Sequence, residues 1–405
     1  MSSTHIRIDQ KSSPNARRSL IYFSSVPYDS YAQRPHFMVE AFTLNGFTSI
    51  LWVDPYPTRF PEIADFRRLF QKKKKPSTKR PLKNVEVLQP MAFPIEPLPM
   101  SAAINHALVW RPIREKIQDF ADHSEHCVIG VGRPSKLAEW ALENVPHARS
   151  FIDVLDNFPA FYTGVSRISM RERLQSLSKK ADDVYCSSSA LSAEMKKLRG
   201  DAVTVLNGYL SSALPAAQGA QAKPRCIGYV GSIAKWFDWP LVISLANALP
   251  DTIIRLIGPE FVPRPSDLPP NIELIGKISQ SEVTHYIQDF AVGLIPFLID
   301  DLTAAVDPIK YYEYRCFGIP VWSTNFGEME YRDIDDGVIH ISMDSDWKTL
   351  WDQNIVRQLS NDELASFRKE ISWSRRFEPI IARSLLQTGR SLSLPPNSRV
   401  LPAEK

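Results

Sequence analysis

The sequence has few cysteines, and their positions exclude the common cysteine-based sites. Only four occur among the 405 residues, at Cys127, Cys186, Cys226 and Cys316. None stands close enough to another to form the pair that binds zinc or exchanges disulfides. We therefore expect four reduced thiols, which is typical of a reducing compartment, and no metal site built from them.

Long apolar runs and a strong net charge are also missing. No run is long enough to cross a bilayer, and the N-terminal stretch lacks the apolar segment of a secretory signal. Lys and Arg number 48 against 45 Asp and Glu, so the overall charge gives no support for nucleic-acid binding. These absences predict a protein that is cytoplasmic, either free or resting peripherally on the inner face of the plasma membrane.

The glycine-rich fingerprint of dehydrogenases, GxGxxG, does not occur. The chain instead contains two series of short apolar strands that alternate with helices, as in parallel sheets covered on both faces. We expect an α/β protein with two Rossmann-like domains. The predicted divisions are a polar tail (1–18), a first domain (19–210), a linker rich in Ala, Gln, Ser and Pro (211–224), a second domain (225–365), terminal helices (366–390) and a second tail (391–405).

The stretch 59–99 is a basic, proline-rich excursion from the first series. It contains four consecutive lysines, Lys72, Lys73, Lys74 and Lys75, with phenylalanines nearby at Phe60, Phe66 and Phe70. A solvated flexible loop explains such a run. The alternative is contact with anionic lipid headgroups or with a pyrophosphate-linked acceptor, anchored by the aromatic side chains.

The strongest chemical pattern begins at Asp307 and ends at Gly318. Asp307 and Pro308 are typical of a helix start, so we expect the helix to begin near Lys310 and its free N–H groups to face an anion. Glu313 lies one turn further on the same face, where a carboxylate can accept both hydroxyls of a ribose. A diphosphate beside a ribose indicates a nucleotide. A capped helix with an exposed Lys–Glu pair is the alternative.

A second pattern is the end of an apolar strand at Gly228–Ser232. Gly231 lets the backbone approach a phosphate closely, and Ser232 adds a small hydroxyl. Many strands end in glycine, so this pattern supports the helix motif and does not stand alone.

Two acids, Asp153 and Asp156, stand at the carboxyl end of a middle strand of the first series. Ligands bind beyond such strand ends, and a carboxylate there can accept a proton from an acceptor hydroxyl. Asp156 stands at the mouth, whereas Asp153 still lies within the apolar strand. We therefore predict Asp156 as the base, and a turn or helix cap formed with Asn157 is the alternative.

A polar run, Tyr28–His36, follows the first strand of the first series. Its side chains are expected at the same edge of the sheet as the two acids. For His36 an ordinary position on a helix surface is the alternative.

In this order the motifs resemble those of bacterial GT-B glycosyltransferases. The likeness lies in the runs Pro308–Val321 and Gly228–Ile233, the latter with Trp236–Asp238 after it, together with Arg34-Pro35-His36, Asp153…Asp156 and Asn207-Gly208. It covers roughly residues 19–385. It is closest to the glycosyltransferases of teichuronic-acid and exopolysaccharide synthesis and more distant from the xanthan glucuronosyltransferase.

The resemblance implies two Rossmann-like domains that face each other across a cleft, with the C-terminal helices crossing back to the first domain. It implies that Lys310, Gly231 and Ser232 contact the donor diphosphate and that Glu313 holds the ribose. We also predict acceptor binding by Arg34, His36 and Asp153, and for Asp153 the alternative is that it holds a loop or a neighbouring residue.

The resemblance also bears on the mechanism. Asp156 matches the base of an inverting reaction in the xanthan pattern, whereas many relatives retain configuration and carry an E-x7-E motif. Here Glu313 is the second glutamate, but Ala305 takes the first position, which puts the retaining mechanism in doubt. No metal and no cofactor beyond the nucleotide-sugar substrate are expected.

The expected function is transfer of a sugar from a nucleoside-diphosphate donor to a lipid-linked or polysaccharide acceptor in cell-surface polysaccharide synthesis. One alternative is a nucleotide-sugar epimerase, which needs no acceptor face, so the excursion at 59–99 counts against it. The other is a non-catalytic scaffold of the same fold.

Overall fold

A computed structural model of the protein describes residues 17–58, 82–93, 96–98, 100–209, 226–353 and 359–386. Within these ranges the chain forms two parallel β-sheets, the first before residue 210 and the second after residue 225. The predicted linker 211–224 and the lysines 72–75 lie outside the described residues.

The first sheet has seven parallel strands in the order β3-β2-β1-β4-β5-β6-β7. Its strands are β1 (Arg18–Phe23), β2 (Phe47–Val53), β3 (Val85–Leu88), β4 (His126–Val131), β5 (Arg149–Val154), β6 (Asp183–Cys186) and β7 (Val203–Thr204). The accompanying helices are α1 (Arg34–Leu44), α2 (Ser101–Leu108), α3 (Arg111–Asp122), α4 (Lys136–Asn144), α5 (Gly164–Lys180) and α6 (Ser189–Leu198). Every residue of β4 and of β5 is buried, as strands with helices on both faces require.

The second sheet has six parallel strands in the order β10-β9-β8-β11-β12-β13. Its strands are β8 (Cys226–Val230), β9 (Ile253–Ile257), β10 (Ile272–Gly276), β11 (Val292–Ile295), β12 (Val321–Ser323) and β13 (Val338–His340). The helices are α7 (Trp239–Ala248), α8 (Gln280–Gln288), α9 (Ile309–Arg315) and α10 (Trp347–Gln353), and α11 (Asn361–Glu370) and α12 (Trp373–Ser384) follow.

The strand order places a crevice in each sheet. The chain adds strands on one side of β1 and then changes to the other side at β4, and it does the same at β8 and β11. Ligands of open α/β sheets bind outside the carboxyl ends of the strands at such a switch point. The crevices therefore lie after β1 and β4 in the first sheet and after β8 and β11 in the second.

The last helix, α12, packs on the first sheet's side of the molecule. The Trp373 ring stacks on Phe37 of α1 with 5.0 Å between the ring centroids. At the other end of α12, the carbonyl oxygen of Ser384 lies 2.8 Å from Nε2 of His126, which begins β4. The predicted crossing back to the first domain is confirmed for α12, whereas α11 packs on the second half, where the Phe367 ring lies 6.2 Å from that of Tyr311.

Two strands were missed in the sequence. The stretch 59–99 was expected to leave the sheet, but residues Val85–Leu88 return as the edge strand β3 and pair with β2. Val338–His340 forms β13, the opposite edge of the second sheet. Both are very short, and each follows a polar segment, so neither gives a clear apolar run.

All four cysteines are buried, and none is paired with another. Among the described residues, no helix combines the length and apolar character that a membrane crossing requires.

Candidate active site

Close backbone contacts between the turns after β8 and β9 fix the β8 side of the second sheet's crevice. Gly231 follows β8 with a φ of 144°, and Gly258 follows β9 with a φ of 146°. A side chain on Gly258 would overlap the carbonyl group of Gly231, so the two turns pack directly on each other. Tyr229 fixes the first turn, because its hydroxyl donates a 2.8 Å hydrogen bond to the carbonyl oxygen of Ser232. Ser232 itself is half-buried at the mouth.

Lys310 of α9 reaches into this crevice. A Cβ placed on Gly231 would lie 2.5 Å from Lys310 Nζ, so the ammonium group rests against the glycine backbone. Nζ lies 5.4 Å from the centroid of the Tyr229 ring and 5.6 Å from that of Phe297. Gly231 and Lys310 of the predicted donor site are thus in contact, although they are 79 positions apart in the sequence.

In the described part of the chain no ion pair or hydrogen bond involves Lys310 Nζ, and its charge faces only the rings of Tyr229 and Phe297. The side chain is half-buried, and removal from water lowers its pKa, while the charge of Glu313 opposes that change. An unpaired ammonium group in a partly dehydrated crevice is a strong site for an anion.

Glu313 follows one turn later on α9. It is half-buried, and burial raises the pKa of its carboxyl group, with Lys310 acting in the opposite direction. No hydrogen bond or ion pair to this carboxylate occurs within the described ranges. The pair that the sequence places on one helix face therefore leaves both charged ends free for a ligand.

Gly231 provides the first testable prediction, because an added methyl group should push Lys310 away. We expect Gly231→Ala to weaken nucleoside-diphosphate binding about tenfold, which corresponds to about 1.4 kcal/mol. The matched control is Gly200→Ala, since a Cβ on Gly200 meets no atom within 4 Å. Titration calorimetry with both variants measures the difference, and equal affinities would contradict the close contact.

Asp307 does not cap α9, contrary to the sequence prediction. The helix begins after Pro308, and no side chain caps it. The Asp307 carboxylate is buried and accepts hydrogen bonds from the Asn207 backbone N–H at 2.7 Å, from the Tyr312 hydroxyl at 2.9 Å and from Arg332 Nη2 at 2.7 Å. These donors, one of them charged, occupy both oxygens and leave none for the helix N–H groups.

Asp156 follows β5 as predicted, and β5 is the neighbour of β4 at the first sheet's switch point. Its side chain is half-buried, and burial raises the pKa of the carboxyl group to about 7. In the described ranges no donor bonds to the carboxylate, and the short 3₁₀ helix Phe158–Phe161 comes directly after it. A carboxylate with a pKa near neutrality is suited to accept a proton in a reaction near pH 7.

Arg34 and Asp153 bind each other, which differs from the expectation that they contact an acceptor. Arg34 Nε and Nη2 donate to the two oxygens of Asp153 at 2.9 and 2.8 Å. The side chains are 5% and 0% exposed. A carboxylate that is fully buried with both oxygens taken has nothing to offer an acceptor, so the geometry gives the pair a supporting role.

His36 also has both ring nitrogens engaged. Nδ1 accepts from the Gln33 N–H at 3.2 Å, so Nε2 carries the proton that is donated to the Tyr28 carbonyl at 3.1 Å. Burial lowers the pKa of the imidazole, which favours this neutral form. The histidine therefore holds the start of α1 and the loop before it, in place of the predicted contact with an acceptor.

Arg133 is a residue at this edge that the sequence reading missed. It stands two positions after β4, at the switch point, and its Nη2 donates to Thr58 Oγ1 at 3.0 Å and to the Tyr162 hydroxyl at 2.9 Å. The available signal was its place directly after a strand, in the run Gly132-Arg133-Pro134. It adds a half-buried cation to the crevice of the first sheet.

A hollow of about 430 Å³ lies at the same edge, beside the first turns of α4 and α5. Its floor contains the ion pair between Arg173 and Glu96, in which Arg173 Nη1 lies 2.5 Å from Glu96 Oε1. Exposed apolar side chains, including Met100 and Ile168, form part of its rim. The first sheet's half therefore has a hollow with charged and apolar side chains, and Asp156 is not among the residues that line it.

Among the described residues, no group of three or more His, Cys, Asp or Glu side chains is arranged to hold a metal ion.

No protein-family model matches the chain. Over 164 residues it is 29% identical to the putative teichuronic acid biosynthesis glycosyltransferase TuaH of Bacillus subtilis (strain 168), a match that covers 36% of this chain and 41% of that protein. The aligned part thus spans about two fifths of the length of the curated relative.

Solved structures are similar over nearly the whole chain. HepE of Anabaena, determined in complex with UDP and glucose, matches with a TM-score of 0.60 at 12% identity, covering 91% of this chain and 99% of that one. The lipopolysaccharide outer core galactosyltransferase WaaB matches with a TM-score of 0.57 at 13% identity, covering 91% and 100% of the two chains. The predicted resemblance is confirmed at the level of the fold: this chain has the two-sheet GT-B architecture of these glycosyltransferases.

Proposed function

We propose that the chain transfers a sugar from a nucleoside diphosphate to an acceptor in the synthesis of a cell-surface polysaccharide. The observation that carries the proposal is the unpaired Lys310 ammonium resting against Gly231, in the switch-point crevice of the second sheet. A diphosphate placed there is attracted by the Lys310 ammonium group. It can also approach the backbone of Gly231 closely, because glycine has no side chain.

Glu313 indicates that the anion bound at this site is a nucleotide. Its carboxylate lies one helical turn from Lys310 and has no partner within the described part of the chain. The two hydroxyls of a ribose next to the diphosphate can both donate to it. A free inorganic anion would gain nothing from this carboxylate, so the pair favours a nucleoside diphosphate.

Asp156 supplies the base on the other side of the cleft. In the proposed reaction it accepts the proton of the acceptor hydroxyl, whose oxygen forms the new bond to the anomeric carbon. The bond from that carbon to the diphosphate oxygen breaks, and Lys310 stabilises the negative charge that develops on the leaving group. One in-line displacement of this kind inverts the anomeric configuration.

The sequence and the fold at Ala305 agree with this choice of mechanism. The position lacks the first acid of the E-x7-E motif, and Ala305 is packed into the core cluster of the first sheet. No carboxylate is therefore available from this position to assist a retaining reaction.

The acceptor is proposed from its chemistry and from the relatives. TuaH is named for teichuronic acid biosynthesis and WaaB for the lipopolysaccharide outer core. A lipid-linked or polysaccharide acceptor hydroxyl fits the hollow with an apolar rim beside the first sheet's crevice. For such an acceptor we also propose peripheral contact with an anionic membrane through the lysines 72–75, which lie outside the described residues.

A thermal-shift screen of UDP, GDP, ADP and their sugars on the full chain tests the proposal. At a ligand concentration of 100 times Kd we expect stabilisation by about 2.7 kcal/mol, which raises Tm by about 5–10 °C in domains of this size. Release of the nucleoside diphosphate from the selected sugar then identifies a transferase. Conversion of the sugar without release would indicate an epimerase, and absence of any shift would contradict the donor site.

A further inference from the structure

A continuous series of hydrogen bonds connects the half of the molecule that contains the first sheet to the half that contains the second. It runs from Asp153 through Arg34 to Asn207, and from Asn207 to Asp307 and Arg332. Asp153 belongs to β5 of the first sheet, and Asp307 lies just before α9 on the second. The series therefore crosses between the two halves of the molecule.

Its first half is held by Arg34. In addition to the two bonds to Asp153, Arg34 Nη1 donates to the carbonyl of Leu206 at 3.2 Å and to Asn207 Oδ1 at 3.3 Å. The guanidinium group also lies 5.2 Å from the ring centroid of Phe377 on the returning helix α12. Arg34 thus fixes the segment after β7 relative to β5.

Its second half is a double contact between Asn207 and Asp307. The Asn207 backbone N–H donates to Asp307 Oδ2 and its side-chain amide donates to the Asp307 carbonyl, both at 2.7 Å. Arg332 and Tyr312 complete the carboxylate's hydrogen bonds, and the Asp307 side chain is 0% exposed. A buried carboxylate that is satisfied in this way permits little movement between the two segments.

Two members of the series, Asp153 and Asp307, lie near the proposed reacting groups in the sequence. Asp153 precedes the proposed base Asp156 by three residues, and Asp307 precedes the proposed diphosphate ligand Lys310 by three residues. We propose that Arg34 and Asp307 are positioning residues, which set the distance between the base and the donor and contact neither substrate. This inference rests on the proposed function. A misplacement of about 1 Å at a reacting centre can lower the rate by about 10²-fold.

The same strand provides a matched control. At the amino end of β5, Arg149 forms a second two-point ion pair, with Nε and Nη2 donating to the oxygens of Asp183 at 2.6 and 3.1 Å. The Arg149 and Asp183 side chains are 10% and 7% exposed, similar to the 5% and 0% of Arg34 and Asp153 at the carboxyl end of β5. Arg149 and Asp183 both belong to the first sheet, and Asp183 also binds Arg383 Nε of α12 at 2.7 Å. Breaking these contacts costs stability at the amino end of the strands, away from the carboxyl ends where Arg34 and Asp153 lie.

The test compares Arg34→Lys, Asp307→Asn and the control Asp183→Asn in the full chain. The substrate is the UDP-, GDP- or ADP-sugar that stabilises the wild type most in the thermal screen. We expect each positioning variant to lower kcat by about 10–100-fold while the Kd for the nucleoside diphosphate stays within about threefold. The control should lose stability with kcat within about twofold of wild type.

The double variant adds a second readout. If the two residues act through one series of bonds, Arg34→Lys with Asp307→Asn should lose little more activity than the worse single variant. If Arg34→Lys or Asp307→Asn does not fold, Asn207→Ala replaces it in the test. This variant removes the side chain that connects Arg34 to Asp307 and leaves no new polar group in its place. It should show the same selective loss of kcat.

The outcomes separate this inference from the proposed function. Equal loss of kcat in Asp183→Asn, or a loss of nucleotide affinity in parallel with kcat in the positioning variants, would overturn the positioning role. Wild-type kcat in Arg34→Lys and Asn207→Ala would overturn it as well, and transfer by the wild type would then leave the proposed function standing. A wild type that binds no nucleoside diphosphate would overturn both.

Discussion

Replacing Lys310 by methionine is expected to lower kcat/KM for the sugar donor by about 10²–10³-fold, the usual effect of removing one group that stabilises developing charge. The ammonium group rests against Gly231 in a half-buried crevice, so no solvent ion can replace it fully. Methionine keeps the length and the apolar contacts of the side chain while removing its charge. Steady-state kinetics with the selected nucleotide sugar measure the change.

The control for this loss is Lys348→Met, which removes an exposed lysine from α10 in the same half of the chain. It should keep the wild-type kcat/KM, because a charge in bulk solvent is screened over a short distance. Similar losses in both variants would mean that only the overall charge matters and that Lys310 has no special place in the donor site.

Asp156→Asn is expected to lower kcat by about 10²–10⁴-fold, the range for a positioned general base. The base must be unprotonated to accept a proton, and burial raises the pKa of Asp156 to about 7. In the wild type kcat/KM should therefore fall as the pH falls below about 7 and reach a plateau above it. The residual activity of the asparagine variant should lack this dependence, and nucleotide binding should be unchanged.

The stability of this variant provides its control. In the unfolded chain the carboxyl group ionises near a pH of about 4, whereas in the folded protein it keeps its proton until about pH 7. The wild type therefore loses stability as the pH rises across that window, and the neutral amide does not. We expect Asp156→Asn to gain Tm relative to wild type between pH 4 and pH 8, so that its low activity cannot come from unfolding. Wild-type turnover, or a product with retained configuration, would contradict the role as base.

The fold was predictable because parallel strands leave a simple signal. Wholly buried strands such as β4 and β8 are short apolar runs, and the polar turns after them mark their carboxyl ends. The edge strands β3 and β13 were missed because edges are only partly covered and need fewer apolar residues. The sequence predicted that α9 begins near Lys310, but it did not predict that Asp307 binds Asn207 and Arg332.

The site was predictable where local sequence sets the geometry. Lys310 and Glu313 share a helix face by their spacing, and a glycine after a strand indicates a close approach. Arg34 and Asp153 are 119 positions apart, and Asn207 and Asp307 are 100 apart, so no local rule pairs them. The sequence predicted acceptor binding for Arg34 and Asp153 and a helix start for Asp307, whereas the tertiary contacts give these residues and Asn207 partners within the chain.

The central claim is that Lys310 holds the diphosphate of a nucleotide in the second sheet's crevice. Titration calorimetry of UDP, GDP and ADP on the full chain tests it without knowledge of the acceptor. We predict that at least one of them binds to the wild type and to Lys348→Met with equal affinity, and about tenfold or more weakly to Lys310→Met, a loss of at least about 1.4 kcal/mol. Equal affinity in Lys310→Met, or no binding of any of the three to the wild type, would contradict the account.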